Sequence, residues 1–149
     1  MAISPIPQDF KDFLKSLEDE EVQYLLIGGY AVGYYGYPRA TADMDVWIAV
    51  NPDNAEKIVR ALKRFGMTMP ELTIDLFLEK GKIIRMGIPP IRIEIQTDIS
   101  GVEFDSCFSH RHCVNIGGIE VNLIALEDLK INKRESGRHK DLEDLAHLP

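Results

Sequence analysis

LIGGYAVGYYGYPRATADMDVW, residues 26–47, is the stretch whose reading decides the fold. An apolar run from Val22 to Ile27 closes on two adjacent glycines, Gly28 and Gly29. Tyr30 to Tyr35 then has room for a brief helix before Gly36 and Pro38 break it. From Asp43 to Val50 polar and apolar positions partly alternate, and Trp47 and Val50 favour a strand. The expected order is strand, glycine turn, short helix, strand.

That order gives the stretch chemical content. Strand side chains alternate faces, so Asp43 and Asp45 project to one side while Met44 and Val46 take the other. Two carboxylates that close repel each other unless a cation lies between them or one of them holds a proton. A hard divalent ion, Mg²⁺ or Mn²⁺, answers that need, because it takes carboxylate oxygens together with substrate phosphates. Glycine where a strand enters a helix lets backbone N–H groups approach an anion with no Cβ in the way. The stretch therefore reads as a triphosphate rest at Gly28 and Gly29 with metal ligands at Asp43 and Asp45. Either motif alone is more often a plain turn or a solvated pair of acids; the combination reverses that preference. It is not a P-loop, lacking the Gly-Lys-Ser/Thr ending, and not a dinucleotide fingerprint, since its glycines are adjacent and no long strand–helix–strand unit follows.

Outward from this stretch, Phe10, Phe13, Leu14 and Leu17 follow one helical stripe and predict a helix over 8–20, with Pro7 near its start. Asn51-Pro52 supplies an N-cap and a first-turn proline to a helix whose stripe is Ile58, Ala61, Leu62 and Phe65, stopped by Gly66. Three strands are expected over 72–78, 82–86 and 91–97, the last two joined as a hairpin with a wider loop through Gly87 and Pro89-Pro90. Gly117-Gly118 has the form of a two-residue hairpin turn, and helices follow over 125–134 and 138–148, split by Ser136-Gly137. A mixed sheet flanked by helices, of α+β or α/β class, is the expected architecture, in one domain over 1–149.

Composition sets the limits. With 149 residues, 45% of them hydrophobic and 28% charged, the chain can bury a real core. No window approaches the roughly 18 consecutive apolar residues of a membrane span. The start, MAISPIPQDF, has neither a basic leader nor an apolar segment for export, and two cysteines suit a reducing compartment, so a cytoplasmic location is expected. A net charge of −7 argues against binding nucleic acid over the whole surface. Charge is uneven, however: Lys130, Lys133, Arg134, Arg138 and Lys140 crowd one segment that can face a phosphate.

The motifs at Ile27-Gly28-Gly29 and Asp43-Met44-Asp45-Val46 resemble the nucleotidyltransferase superfamily with the DNA polymerase β-like fold. The chain looks most like its small single-domain forms, often found in toxin–antitoxin pairs. It shares with them the GGYAV run, the pattern from Gly36 through Pro38, Arg39 and Thr41 to Asp45, and a closing helix, Lys140-Asp141-Leu142-Glu143-Asp144-Leu145. The resemblance implies a mixed sheet with helices, a Mg²⁺-dependent transfer of a nucleoside monophosphate from an NTP, and a third carboxylate on a later strand.

Glu94 is the first choice for that carboxylate, because Arg92, Glu94 and Gln96 share the strand face opposite Ile91, Ile93 and Ile95. Asp75, with a similar alternation, is the rival. Three acids can hold two metal ions, one at the attacking oxygen and one at the triphosphate. Arg39 and Thr41 precede the acids, and an arginine there can fork onto phosphate oxygens, with a surface ion pair nearly as good a reading. Lys130, Arg138 and Lys140 can close the site, though a solvated helix face is the plainer role for each; Lys140 is the best placed.

Two other features compete for attention. All five tyrosines fall between Tyr24 and Tyr37, where packing is the commoner role. Cys107, His110, His112 and Cys113 are four zinc-type donors within seven residues, but in no familiar zinc spacing, so a polar loop with buried thiols is the preferred reading. The functional expectation is an enzyme carrying a nucleotidyl group to a protein, RNA or small-molecule acceptor. The alternative is a non-catalytic nucleotide sensor or antitoxin-like partner of the same fold. So short a chain leaves little room for an acceptor-binding domain, which points to a partner protein or self-association.

Overall fold

The structure is a computed structural model that describes residues 7–38, 43–88 and 91–149. Arg39 and Thr41, named above as phosphate contacts, lie outside the described residues.

Helix α1 (Gln8–Asp19) leads into strand β1 (Tyr24–Ile27), which passes directly into the short helix α2 (Gly28–Tyr34). Strand β2 (Asp43–Ile48) and helix α3 (Pro52–Phe65) follow. The caps of α3 are those its sequence calls for: the Asn51 side chain accepts from the Asn54 N–H, proline opens the first turn, and Gly66 ends the helix at φ +107°. The hairpin β3 (Ile83–Ile88) and β4 (Ile91–Gln96) comes next, then helix α4 (Phe104–Ser109), the hairpin β5 (His112–Ile116) and β6 (Ile119–Leu123), and helices α5 (Leu126–Ser136) and α6 (His139–His147).

Six strands form one mixed sheet in the order β3-β4-β2-β1-β6-β5. β2 runs antiparallel to β1 and parallel to β4, while β1 runs parallel to β6. One sheet face, carrying Tyr24, Leu26, Met44, Val46, Ile48, Ile93 and Ile95, is buried in a single core with Phe10, Phe13, Leu14 and Leu17 of α1 and Ile58, Ala61 and Leu62 of α3. Burying a side chain of this size stabilises by roughly 1.5–3 kcal/mol, so the two helical stripes hold that face shut. Buried Asn54 links α3 to the sheet end. It accepts from Gln23 N–H at 2.8 Å and donates to the Gln23 and Ala49 carbonyls at 3.1 and 2.8 Å.

Three expectations need correction. Residues 72–78 are not a strand: Ile74–Phe77 form one 3₁₀ turn packed on α3. Phe77 alone of the four is buried, and Ile74, which strand alternation would bury, is exposed. The hairpin of β3 and β4 is tight rather than wide, since its register runs to Ile88↔Ile91 and takes Gly87 into the strand opposite Arg92. Helix α4 was not expected at all; it lays Phe104 edge-on against Trp47, ring centroids 5.1 Å apart. The Gly117-Gly118 turn, with both residues at positive φ, closes β5 and β6 as expected.

Candidate active site

The other face of the sheet, next to the hairpin β3–β4, is open. Alternation from the buried Met44, Val46 and Ile48 sends Asp43 and Asp45 to this side. The parallel register then pairs Asp43 with Arg92 and Asp45 with Glu94, and the antiparallel register pairs Glu94 with Arg85. Three acids and two arginines are thus delivered to one patch by strand geometry alone. They floor a cleft of about 740 Å³.

Gly28 and Gly29 form its wall beside Asp45. Gly28 sits at φ +70°, and a Cβ built there would overlap Asp45 Oδ2, so only glycine allows the β1–α2 corner to approach the carboxylate this closely. The glycine pair and the acid pair, read separately in the sequence, are in contact.

Each acid has a different surrounding. Asp43 is forked by Arg92, whose Nε and Nη2 donate at 3.2 and 3.0 Å. Glu94 accepts from Arg85 Nε at 2.9 Å. Burial pushes the Asp45 carboxyl up to about 7, reinforced by a hydrogen bond and like charge from Glu94 and by the Asp43 charge. Close to neutrality Asp45 therefore holds a proton that a cation could replace.

Helices α5 and α6 bring positive charge to the opposite wall. Lys133, nearly buried, lies 3.2 Å from Asp141 Oδ1 and 3.1 Å from Asp144 Oδ2, both of which are also buried. Asp141 further accepts from Ser136 Oγ at 2.6 Å and Arg138 Nε at 2.7 Å. Burial alone would raise the Asp141 carboxyl, but Arg138, Ser136 and Lys133 together outweigh it and draw it down to about 2. Lys82, Arg85, Arg92, Lys133, Arg138 and Lys140 all line the cleft, a concentration of positive charge on a chain of net charge −7.

Of the residues singled out in the sequence, Gly28, Gly29, Asp43, Asp45, Glu94, Arg138 and Lys140 meet at this cleft. Lys130 is not among its lining and pairs with Glu127 at 3.8 Å. Asp75 stands exposed on the 3₁₀ turn, away from the cleft lining, so of the two rivals Glu94 is the one beside Asp45. The cysteine-rich segment is split between two elements: Cys107 is buried on α4, whereas Cys113 is exposed on β5, contrary to the expectation of two buried thiols. His110 turns to Asp128 at 3.2 Å. Among the described residues no three His, Cys, Asp or Glu side chains are drawn together as a metal-binding group.

Sequence reasoning passed over Arg85, Arg92 and the buried role of Lys133. Arg92 had a signal, since it shares a strand face with Glu94. Lys133 had none, because its burial depends on two helices folding back across a glycine break at Gly137.

Among solved structures the chain is similar to a protein of Thermotoga maritima provisionally described as a nucleotidyltransferase. The TM-score is 0.61 at 16% identity, over 93% of this chain and 89% of that one. It is also similar to an antigenic nucleotidyltransferase-like protein of Paracoccidioides brasiliensis, with a TM-score of 0.53 at 17% identity, over 96% of this chain and 77% of that one. The fold is nucleotidyltransferase-like. Neither a protein-family model nor a curated protein matches the sequence. Among the described residues no helix is long and apolar enough to cross a membrane.

Proposed function

We propose that the chain is a nucleotidyltransferase that moves a nucleoside monophosphate from an NTP to an acceptor hydroxyl with the help of Mg²⁺ or Mn²⁺. The observation that carries this reading is the convergence of Asp43, Asp45 and Glu94, from two adjacent strands, on one face against the Gly28 corner. The donor set fits the ion: three oxygen-bearing acids, one of them protonated near pH 7 for want of a countercharge, are what a hard divalent cation takes. Asp43, Asp45 and Glu94 would hold it, and when bound it would neutralise charge on the triphosphate as pyrophosphate leaves.

The remaining work falls to the chain's own groups. Gly28 and Gly29 leave backbone room for the phosphates, and Arg138 and Lys140 face them from the other wall. The acceptor oxygen forms the new bond to the α-phosphorus while the bond to the bridging oxygen of pyrophosphate breaks. The acceptor's proton passes to a carboxylate of the floor, Glu94 being the least covered by the glycine corner. Lys133 holds Asp141 and Asp144 in place, which fixes Arg138 at the rim. A toxin–antitoxin setting, a partner protein that supplies the acceptor, and a cytoplasmic location belong to the same proposal and rest on the sequence resemblance.

The test incubates the protein with each α-labelled NTP, Mg²⁺ and cell extract beside an Asp43→Ala/Asp45→Ala variant. Label transferred only by the unsubstituted protein is the expected result and begins to identify the acceptor. Binding of NTP without transfer under any of these conditions would make the chain a nucleotide sensor instead.

A further inference from the structure

Resting on that reading of the cleft, we propose that Arg85 and Arg92 are positioning residues that occupy Glu94 and Asp43 until a triphosphate draws them away, so that the acids become available to a cation only after nucleotide arrives. The geometry is specific. Arg92 covers both oxygens of Asp43, and Arg85 takes one oxygen of Glu94. Together they leave no group of three acids drawn in around one point among the described residues.

The two sides of these pairs differ in mobility. The acid side chains are 22% and 14% exposed, fixed on the sheet, whereas Arg92 and Arg85 are 37% and 57% exposed on long chains. Ion pairs of that exposure are weak and exchange partners readily. A triphosphate in the same cleft offers each guanidinium a planar fork of oxygens with several negative charges behind it, against one charge on a carboxylate. Arg85 and Arg92 line the cleft alongside Lys133, Arg138 and Lys140, within one basin of positive potential. The arginines thus serve first as countercharge to the acids and then as ligands of the nucleotide.

The test counts free Mn²⁺ by electron paramagnetic resonance, without nucleotide, for the wild type and for Arg85→Gln/Arg92→Gln, Asp43→Asn/Asp45→Asn and Lys82→Gln. Lys82 lines the cleft but pairs with Glu79 at 3.3 Å, so its loss measures bulk charge alone. The expected result is about tenfold tighter Mn²⁺ binding in the double-arginine variant than in wild type or Lys82→Gln, as release of two weak ion pairs allows. Equal affinity in the wild type and double-arginine variant, with weaker binding in the aspartate variant, overturns the arginine exchange and leaves the transferase reading standing. Mn²⁺ retention unaffected by Asp43→Asn/Asp45→Asn overturns the transferase reading itself. A second measurement needs no variant: non-hydrolysable NTPs are added in EDTA to ¹⁵N-labelled wild type. The Nε–H signals of Arg85 and Arg92 should move, while that of Arg60, paired with Glu20 at 3.0 Å outside the cleft, should not. Movement of Gly28 and Gly29 without Arg85 and Arg92 overturns the exchange.

Discussion

Replacing Asp45 by asparagine should make the metal-free protein more stable at alkaline pH and leave it unchanged in acid. The carboxyl lies at about 7 in the folded chain against an ordinary value of 3.8. A group raised in this way contributes stability that is fully present below pH 4 and is lost as pH rises through 7. At about 1.4 kcal/mol per tenfold, the loss has a ceiling of about 4 kcal/mol. Sharing of the proton with Glu94 lowers it to about 2–4 kcal/mol. Asparagine keeps the shape, stays neutral, and escapes the loss. Melting curves in EDTA for wild type and Asp45→Asn should coincide near pH 4 and separate above pH 7 by about 5–15 °C, the variant being the more stable. Mg²⁺ should narrow that gap by stabilising the wild type. Melting temperatures that stay equal from pH 4 to pH 9 would show that Asp45 is ionised and well solvated, and would refute the argument from crowding.

Lys133→Ala strands two buried carboxylates and should cost about 3–5 kcal/mol in urea unfolding, while exposed Arg134→Ala should change stability by less than about 0.5 kcal/mol. Because Asp141 is drawn down to about 2, its share of stability should be present above pH 4 and fade as pH falls towards 2, visible as an acid limb of the melting curve that Asp141→Asn flattens. Gly28→Ala should abolish nucleotidyl transfer and cost about 1–3 kcal/mol, since its Cβ meets Asp45; Gly66→Ala, equally left-handed but facing open space, should cost about 1 kcal/mol and leave transfer intact. Asn54→Ala should cost about 2–4 kcal/mol by calorimetry, because it leaves Gln23 N–H and the Ala49 carbonyl without their side-chain partner.

Elements defined by local chemistry were legible in the sequence. Asn51-Pro52 and Gly66 mark α3 because caps are decided within a few residues, and Gly117-Gly118 marks a hairpin because only such residues tolerate its turn. Strand alternation likewise placed Asp43, Asp45 and Glu94 on polar faces. What alternation cannot give is which strand lies beside which, and that decides between Glu94 and Asp75. The segment 74–77 misled because Ile74, Leu76 and Leu78 alternate like a strand while Phe77 is the side chain the core takes, a choice set by packing on α3. Lys133 looked like one more solvated base, since its burial is a tertiary event between helices joined at a turn.

The strand order has a consequence for how the protein is made. β1 sits in the middle of the sheet, held by β2 on one side and on the other by β6, whose backbone and that of the following residues meet it through Asn122 N–H to the Tyr24 hydroxyl and Ile124 N–H to the Leu26 carbonyl. Nearly a hundred residues separate those partners, so closure of this seam is a long-range, slow event. On the ribosome the strands bearing Asp43, Asp45 and Glu94 emerge well before the helices bearing Lys133, Arg138 and Lys140. The nascent chain therefore carries an acidic, half-built cleft until the seam closes, and cannot work on a nucleotide before its synthesis is nearly complete.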